Sequence, residues 1–248
     1  MAKVYPFRAL RPNEGQAPLV ASVPYDVVNR EEARELGGDA KSFLHVTKPE
    51  IDLADSVDPY DAQVYAQGRK ALDRLIEEGI LIRDKEEAFF LYRLTMDGRS
   101  QTGFVMTADV EEYDQNIVRK HEYTRPDKED DRVRNIEALA AQSGNVFLAH
   151  RDHEKLKKVT QATLAESHLY NFEASDGIRH EVWKVDACHN EAILAAFEDL
   201  GPIYIADGHH RSAAASRVAK LSSAGDDAQR FLVVSFPESE LKIWDYNR

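Results

Sequence analysis

The sequence contains one cysteine, Cys188, in 248 residues, together with only 12 glycines and 9 prolines. A single cysteine cannot form an internal disulfide, nor can it supply the several thiolates of a cysteine-ligated metal cluster. So few glycines and prolines exclude a collagen-like chain and a chain made largely of linker. Hydrophobic residues make up 43% of the sequence, enough for a sizeable core. The chain is therefore expected to fold rather than remain disordered.

Long hydrophobic runs are also missing. No stretch approaches the roughly 18 consecutive apolar residues that a membrane-spanning helix needs. The first residues, Met-Ala-Lys-Val-Tyr-Pro-Phe-Arg, contain no apolar segment of signal-peptide length. These absences predict a soluble protein in the reducing cytoplasm, without a membrane partner.

Positive charge is scarce. The chain has 32 lysines and arginines against 44 aspartates and glutamates, which gives a net charge of -12. A field of this sign repels phosphate backbones, so no nucleic-acid partner is expected. A local basic pocket for a small anion is compatible with this charge.

Asp-Gly pairs between apolar runs predict two hairpins, at Asp97-Gly98 within residues 88–108 and at Asp176-Gly177 between 169–172 and 178–185. Asp58 is placed to cap a helix at 59–78. Together, hairpins and strand-helix units predict one α/β domain of the α+β kind with a mixed sheet. Apolar spacing predicts further strands at 4–10, 19–23, 146–149, 202–206 and 231–236, and helices at 30–36, 132–142, 154–167 and 191–199.

The strongest local signal is the run from Asp207 to Arg211, where an apolar strand meets a glycine and then a helix rich in small residues. Free backbone N–H groups at such a helix start bind anions. Gly208 permits close approach, His209 and His210 can donate hydrogen bonds, and Arg211 can bind two phosphate oxygens. Cations oppose the dipole at a helix N-terminus, so a bound anion explains them better than capping does. Asp207 would then act as a general base or Mg²⁺ ligand; the alternative is an exposed turn in which Asp207 caps the helix.

A second cluster of charged side chains runs from Arg119 to Thr124 and continues at Lys128, Asp131 and Arg132. It combines basic groups, an imidazole and carboxylates in a segment expected to be mostly irregular, where binding residues concentrate. The alternative is a solvated charged loop.

A third candidate is Pro24-Tyr25-Asp26, with the alternative of a proline turn in which Asp26 caps the helix at 30–36.

Sequence patterns of P-loop, Rossmann, α/β-hydrolase and zincin proteins are absent, because none of GxxxxGK[ST], GxGxxG, GxSxG or HExxH occurs. Cys188 beside His189 is more typical of a structural cysteine than of a nucleophile.

The Asp207–Arg211 run resembles the phosphate loop of the ParB, sulfiredoxin and free-serine-kinase superfamily, whose members carry a Gly-x-His-Arg or Gly-His-His-Arg turn at a helix start. The chain as a whole resembles an uncharacterised bacterial and archaeal domain-of-unknown-function family, DUF1015. Chains of that family usually continue further, so this sequence is expected to be an N-terminal portion of a longer protein. The matching stretches are residues 5–12, 24–27, 119–124 with Lys128, Asp131 and Arg132, the Asp207–Arg211 run, and 246–248.

By this resemblance, residues 1–248 form a ParB/sulfiredoxin-like nucleotide-binding core with residues 41–185 as a large insertion. In the free serine kinases the turn binds the transferred phosphate, an acidic residue acts as base and Mg²⁺ assists. Carried over, Asp207 and Glu122 become the acid/base residues, and Glu122 and Asp131 the metal ligands. Sulfiredoxin has its catalytic cysteine where this chain has His209, which argues against sulfinic-acid reduction. The residues implied to bind phosphate or nucleotide are Gly208, His209, His210, Arg211, His121, Lys128 and Arg132.

The sequence thus predicts a kinase that uses ATP or ADP with Mg²⁺ to phosphorylate the hydroxyl of a small metabolite, such as free L-serine. Two alternatives stay open. One is a nucleotide- or phosphate-binding module without turnover. The other is a metal-dependent phosphohydrolase or nuclease, with ligands drawn from Asp207, His209, His210, His121 and Glu122.

Overall fold

The structure is a computed structural model that describes residues 2–221 and 225–242. In this part of the chain the strands are β1 (Val4–Tyr5), β2 (Leu10–Pro12), β3 (Leu81–Arg83), β4 (Phe90–Met96), β5 (Arg99–Asp109), β6 (Val118–Arg119), β7 (Val146–His150), β8 (Tyr170–Glu173), β9 (Arg179–Lys184), β10 (Ile203–Asp207) and β11 (Arg230–Pro237). The α-helices are α1 (Ala17–Val20), α2 (Arg30–Leu36), α3 (Leu44–Thr47), α4 (Ala62–Glu77), α5 (Val110–Asp114), α6 (Pro126–Leu139), α7 (Glu154–Leu164), α8 (Asn190–Leu200) and α9 (His209–Ala219).

Nine of these strands form one main sheet. Its order is β6-β10-β7-β11-β5-β4-β9-β8, and β1 pairs with the last residues of β5. Two neighbouring pairs, β6–β10 and β7–β11, are parallel, whereas the other neighbours run antiparallel. A small second sheet pairs β2 with β3. The expected fold class, a mixed α/β chain of the α+β kind, is confirmed at this level.

Both predicted hairpins are present. Asp97 and Gly98 have φ values of 51° and 75° and join β4 to β5, with Met96 opposite Arg99. Gly177 has a φ of 79° in the connection between β8 and β9. Positive φ at these turns matches the twist of the flanking strands, which explains why Asp-Gly pairs mark them.

The predicted strand at 19–23 is wrong. Residues Ala17–Val20 form the short helix α1 instead, with a proline in its first turn and with Ala17 and Val20 buried. The fixed φ of proline suits the start of a helix. The predicted strand at 4–10 is divided, because β1 pairs with β5 whereas β2 pairs with β3 in the small sheet.

Two helices begin elsewhere than predicted, and a third has a different cap. Helix α4 begins at Ala62 rather than at residue 59, because Asp61, not Asp58, accepts the N–H of Gln63 at 2.9 Å. Helix α2 has the predicted bounds, but its cap is Asn29 rather than Asp26. Helix α6 begins at Pro126, six residues before the predicted start, so it already contains Lys128 and Asp131.

The largest hydrophobic cluster lies against the main sheet. Ile203 and Ile205 of β10 and Leu148 of β7 are almost completely buried in it, together with Phe197 of α8 and Ala215 of α9. The small residues of α9 let this helix pack closely on the sheet. Strand β10, before the glycine turn, and helix α9, after it, are therefore both held by the hydrophobic core.

Residues 41–185 contribute β4, β5, β7 and β9 to the middle of the main sheet; their description as an insertion stays a prediction. Within residues 2–221 and 225–242, no helix is both long and apolar enough to cross a membrane. The family-like stretch 246–248 lies outside the described residues.

Candidate functional site

The candidate site lies at the edge of the main sheet where β6 and β10 end. These strands are parallel neighbours, with Val118 opposite Ile203 and Arg119 opposite Tyr204. Parallel neighbours have their carboxyl ends at the same edge, where ligands of α/β sheets commonly bind. The segment after Arg119 and the turn after Asp207 therefore come together, although they are far apart in the sequence.

The turn between β10 and α9 has the backbone that an anion site requires. Gly208 has a φ of +94° and occupies the N-cap position of α9, and no side chain caps the helix. A left-handed conformation of this kind favours glycine. Asp207 does not cap the helix, so the capping role in that alternative is wrong, although its side chain is exposed. The first N–H groups of α9 are thus not bound by a capping side chain and can bind an anion.

The guanidinium of Arg211 lies over this turn. It forms an ion pair with Asp207, with 2.5 Å between Nη2 and Oδ2, and it also donates to the carbonyl of Asn145 just before β7. A Cβ atom built on Gly208 would lie 3.2 Å from the Cζ of Arg211. Glycine therefore makes room for the guanidinium at the position where phosphate binding is predicted.

Beside the turn, His209 meets the two residues that follow β6. Its side chain is only 3% exposed, and its Nδ1 lies 3.4 Å from Oε2 of Glu122. Its ring stands edge-on to that of His121, with 4.5 Å between the centroids. Burial lowers the pKa of His209 below its ordinary value, and His121 lowers this pKa further. Each of the three residues offers a ligand atom, and these atoms lie within 4.8 Å of one another.

His210 connects the turn to helix α6. Its Nε2 accepts a hydrogen bond from the backbone N–H of Arg125, at 3.1 Å. Because this nitrogen acts as an acceptor, it is not the donor expected for a phosphate. Phosphate binding by His210 stays a prediction for its other ring nitrogen.

Lys128 and Asp131 contact tyrosines just before and within the first turn of helix α4, and neither joins the group of His121, Glu122 and His209. The Nζ of Lys128 donates to the hydroxyl of Tyr60 at 3.1 Å. Asp131 accepts from the hydroxyl of Tyr65 at 2.9 Å and pairs with Arg132 at 2.6 Å. Burial and the neighbouring Asp131 raise the pKa of Tyr65. The structure thus brings Glu122, but not Asp131, into the group of possible metal ligands.

Arg132 and Arg211 reach a common cleft, which also contains the third sequence candidate, Tyr25. The guanidinium of Arg132 lies 4.0 Å from the ring centroid of Tyr25. Two guanidinium groups in one cleft suit recognition of phosphate or carboxylate. Sequence reasoning missed the connection from α6 to β7, which lines the cleft with Gly144 and supplies the carbonyl of Asn145 to Arg211. The only local signal there is a turn-forming Ser-Gly-Asn run before a strand.

Residues 4–248 match the family model described as Protein of unknown function (DUF1015). The chain belongs to this family. The DUF1015 membership expected from the sequence is thereby confirmed. No curated protein and no solved structure matches the chain. The relation of this DUF1015 chain to the ParB and sulfiredoxin superfamily stays a prediction.

Proposed function

We propose that this DUF1015 chain is a phosphotransferase that moves a phosphoryl group from ATP or ADP to the hydroxyl of a small metabolite, with free L-serine as the first candidate. The proposal rests on the left-handed Gly208 at the uncapped start of α9, with Arg211 lying over it. A strand, a glycine turn and a helix in this order are also what the resemblance to a ParB-like nucleotide-binding core implies.

The start of α9 would bind the transferred phosphoryl group. Backbone N–H groups and the guanidinium of Arg211 would neutralise the charge on its equatorial oxygens. Arg132 also lines the cleft that Arg211 reaches and would bind another phosphate of the nucleotide. Positioning and charge neutralisation of this kind supply most of the catalysis in phosphoryl transfer.

Asp207 would be the base. In the structure its carboxylate pairs with Arg211, and a bound phosphate would compete for that guanidinium. Once Arg211 binds the phosphate, Asp207 can accept the proton of the acceptor hydroxyl. The acceptor oxygen then bonds to the terminal phosphorus, and the bond from that phosphorus to the nucleotide breaks. Glu122, paired with His209 on the adjacent segment, is the second acid/base candidate.

Mg²⁺, when bound with the nucleotide, would neutralise phosphate charge. Mg²⁺ prefers oxygen ligands and is usually held by substrate phosphates with one or two carboxylates. The predicted pair Glu122 and Asp131 does not fit this requirement, since Asp131 is bound to Arg132 and Tyr65. Asp207 lies beside the turn and would take this role once a bound phosphate has replaced it at Arg211.

The test is a phosphorus NMR time course with Mg²⁺ and ATP, and then ADP, with and without L-serine and a panel of small hydroxyl metabolites. The expected result is a new phosphomonoester signal that requires an acceptor. Asp207→Asn should abolish this signal while nucleotide binding is largely retained. Asp97→Asn, at the distant β4–β5 turn, is the matched control and should react like the unaltered protein.

Other outcomes identify the alternatives. Release of inorganic phosphate without an acceptor would replace the kinase by a phosphohydrolase. Nucleotide signals that broaden but never convert would replace it by a binding module. Signals that neither broaden nor convert would overturn nucleotide chemistry at this turn.

A further inference from the structure

We infer that His121, Glu122 and His209 form a binding site for one divalent transition-metal ion of the Zn²⁺ type, beside the β10–α9 turn. The site stands on its own geometry and does not depend on the phosphoryl transfer proposed above.

The spacing of the three side chains suits a metal ion. Bonds of about 2.0–2.2 Å in a tetrahedral arrangement place two ligand atoms about 3.4 Å apart. Nδ1 of His209 and Oε2 of Glu122 are separated by 3.4 Å. All three ligand atoms lie within 4.8 Å of one another, so rotations of the exposed His121 and Glu122 side chains are sufficient to close the remaining distance.

Burial fixes the position of the His209 ring. Its side chain is only 3% exposed, and its ring packs edge-on against that of His121, with 4.5 Å between the centroids. The backbone also holds His209 in place, because it is the first residue of α9.

The set of donor atoms selects the kind of metal. Two imidazoles and one carboxylate suit zinc and related transition metals, whereas Mg²⁺ favours oxygen ligands in octahedral geometry. Three protein ligands leave at least one coordination position for water or another ligand. His121 and Glu122 are exposed, so this position is open to solvent, and a phosphate or carboxylate oxygen could occupy it.

The test is a Co²⁺ titration of the full chain after treatment with a chelator, followed by visible absorption and then by competition with Zn²⁺ and Mg²⁺. We expect one ion per chain, displacement by Zn²⁺, and no displacement by Mg²⁺ at comparable concentration. Glu122→Gln and His121→Gln should each weaken binding at least about tenfold, since even loss of a supporting contact reaches that range. His209 is left unaltered because its burial would make misfolding an alternative explanation.

Two exposed residues provide the controls. Glu137→Gln in α6 and His168→Gln before β8 remove the same chemical groups elsewhere, and both should bind Co²⁺ like the unaltered protein. Equal affinity in Glu122→Gln, His121→Gln and the controls would overturn the site, as would displacement by Mg²⁺ as effective as by Zn²⁺. Asp207→Asn should retain Co²⁺ binding, so failure of the kinase proposal and failure of the metal site are distinguishable.

Discussion

Within the β10–α9 turn, Gly208 and Arg211 depend on each other. The guanidinium of Arg211 is held by Asp207 and by the carbonyl of Asn145, and it lies in the space that a side chain at position 208 would need. The sequence predicts that these residues share a turn, but not that Arg211 is bound to Asp207. Arg211 also donates to the carbonyl of Asn145, which lies just before the antiparallel neighbour β7.

Gly208→Ala is expected to destabilise the chain by about 1–2 kcal/mol, because an L-residue in the left-handed region costs that amount. It should also displace Arg211 and weaken the binding of inorganic phosphate. Urea unfolding measures the first effect and calorimetric titration measures the second.

Gly15→Ala separates the two effects. Gly15 has a φ of +73°, but a Cβ atom there would meet nothing within 4 Å. This variant should lose similar stability and keep its phosphate affinity. If both variants bind phosphate equally well, the guanidinium over Gly208 is not part of an anion site.

At the scale of helices, local capping groups fix where each element begins. Asn29 accepts the N–H groups of Glu31 and Glu32, while the carboxylate of Glu32 accepts the N–H of Asn29 at 2.8 Å. This reciprocal capping box at the start of α2 satisfies donors that would otherwise have no partner within the helix.

Asn29→Ala is therefore expected to lower the free energy of unfolding by about 1 kcal/mol, the typical value of an N-cap. Asp26→Ala removes the residue that the sequence offers as an alternative cap. This substitution should change the free energy of unfolding by less than about 0.5 kcal/mol, as is usual for surface positions. Chemical denaturation of both variants measures the difference. An equal loss for the two would show that the capping box contributes nothing specific to α2.

Elements with strong local signals were predictable from the sequence, and those decided by distant partners were not. Asp97-Gly98 marks its hairpin because both residues must adopt positive φ. Residues 19–23 were predicted as a strand because they are apolar, yet the short helix α1 forms there. In the site, the glycine turn was predictable, whereas the approach of His121 to His209 was not. That contact follows from the parallel pairing of β6 with β10. No local sequence pattern predicts which strands pair over such a separation.

On the scale of the whole molecule, the main sheet combines strands from within and outside residues 41–185. Strand β11 lies between β7 and β5, and both neighbours come from that segment. In the main sheet, β1, β10 and β11 pair with strands of residues 41–185 and not with one another, and β11 joins β7 to β5. Neither set of strands therefore keeps all its backbone hydrogen bonds when the other set unfolds. The sheet should therefore behave as one cooperative unit, whatever the origin of the segment.

This prediction can be measured by unfolding in urea. The chain has two tryptophans, so Trp244→Phe leaves the buried Trp183 of β9 as the only one. Its fluorescence and the far-ultraviolet circular dichroism of the chain should change with the same midpoint, as in a two-state transition. Separate midpoints would show that residues 41–185 unfold on their own.

The pairing of β6 with β10 also bears on the order of events during synthesis. Val118 meets Ile203, so the two halves of the site join only after the ribosome has added roughly 85 further residues, a long loop to close. His121 and Glu122 leave the ribosome well before His209 exists. A metal ion or phosphate that is held by both halves of the site therefore cannot guide the early steps of folding. The complete site forms only once β10 has paired with β6 in the sheet.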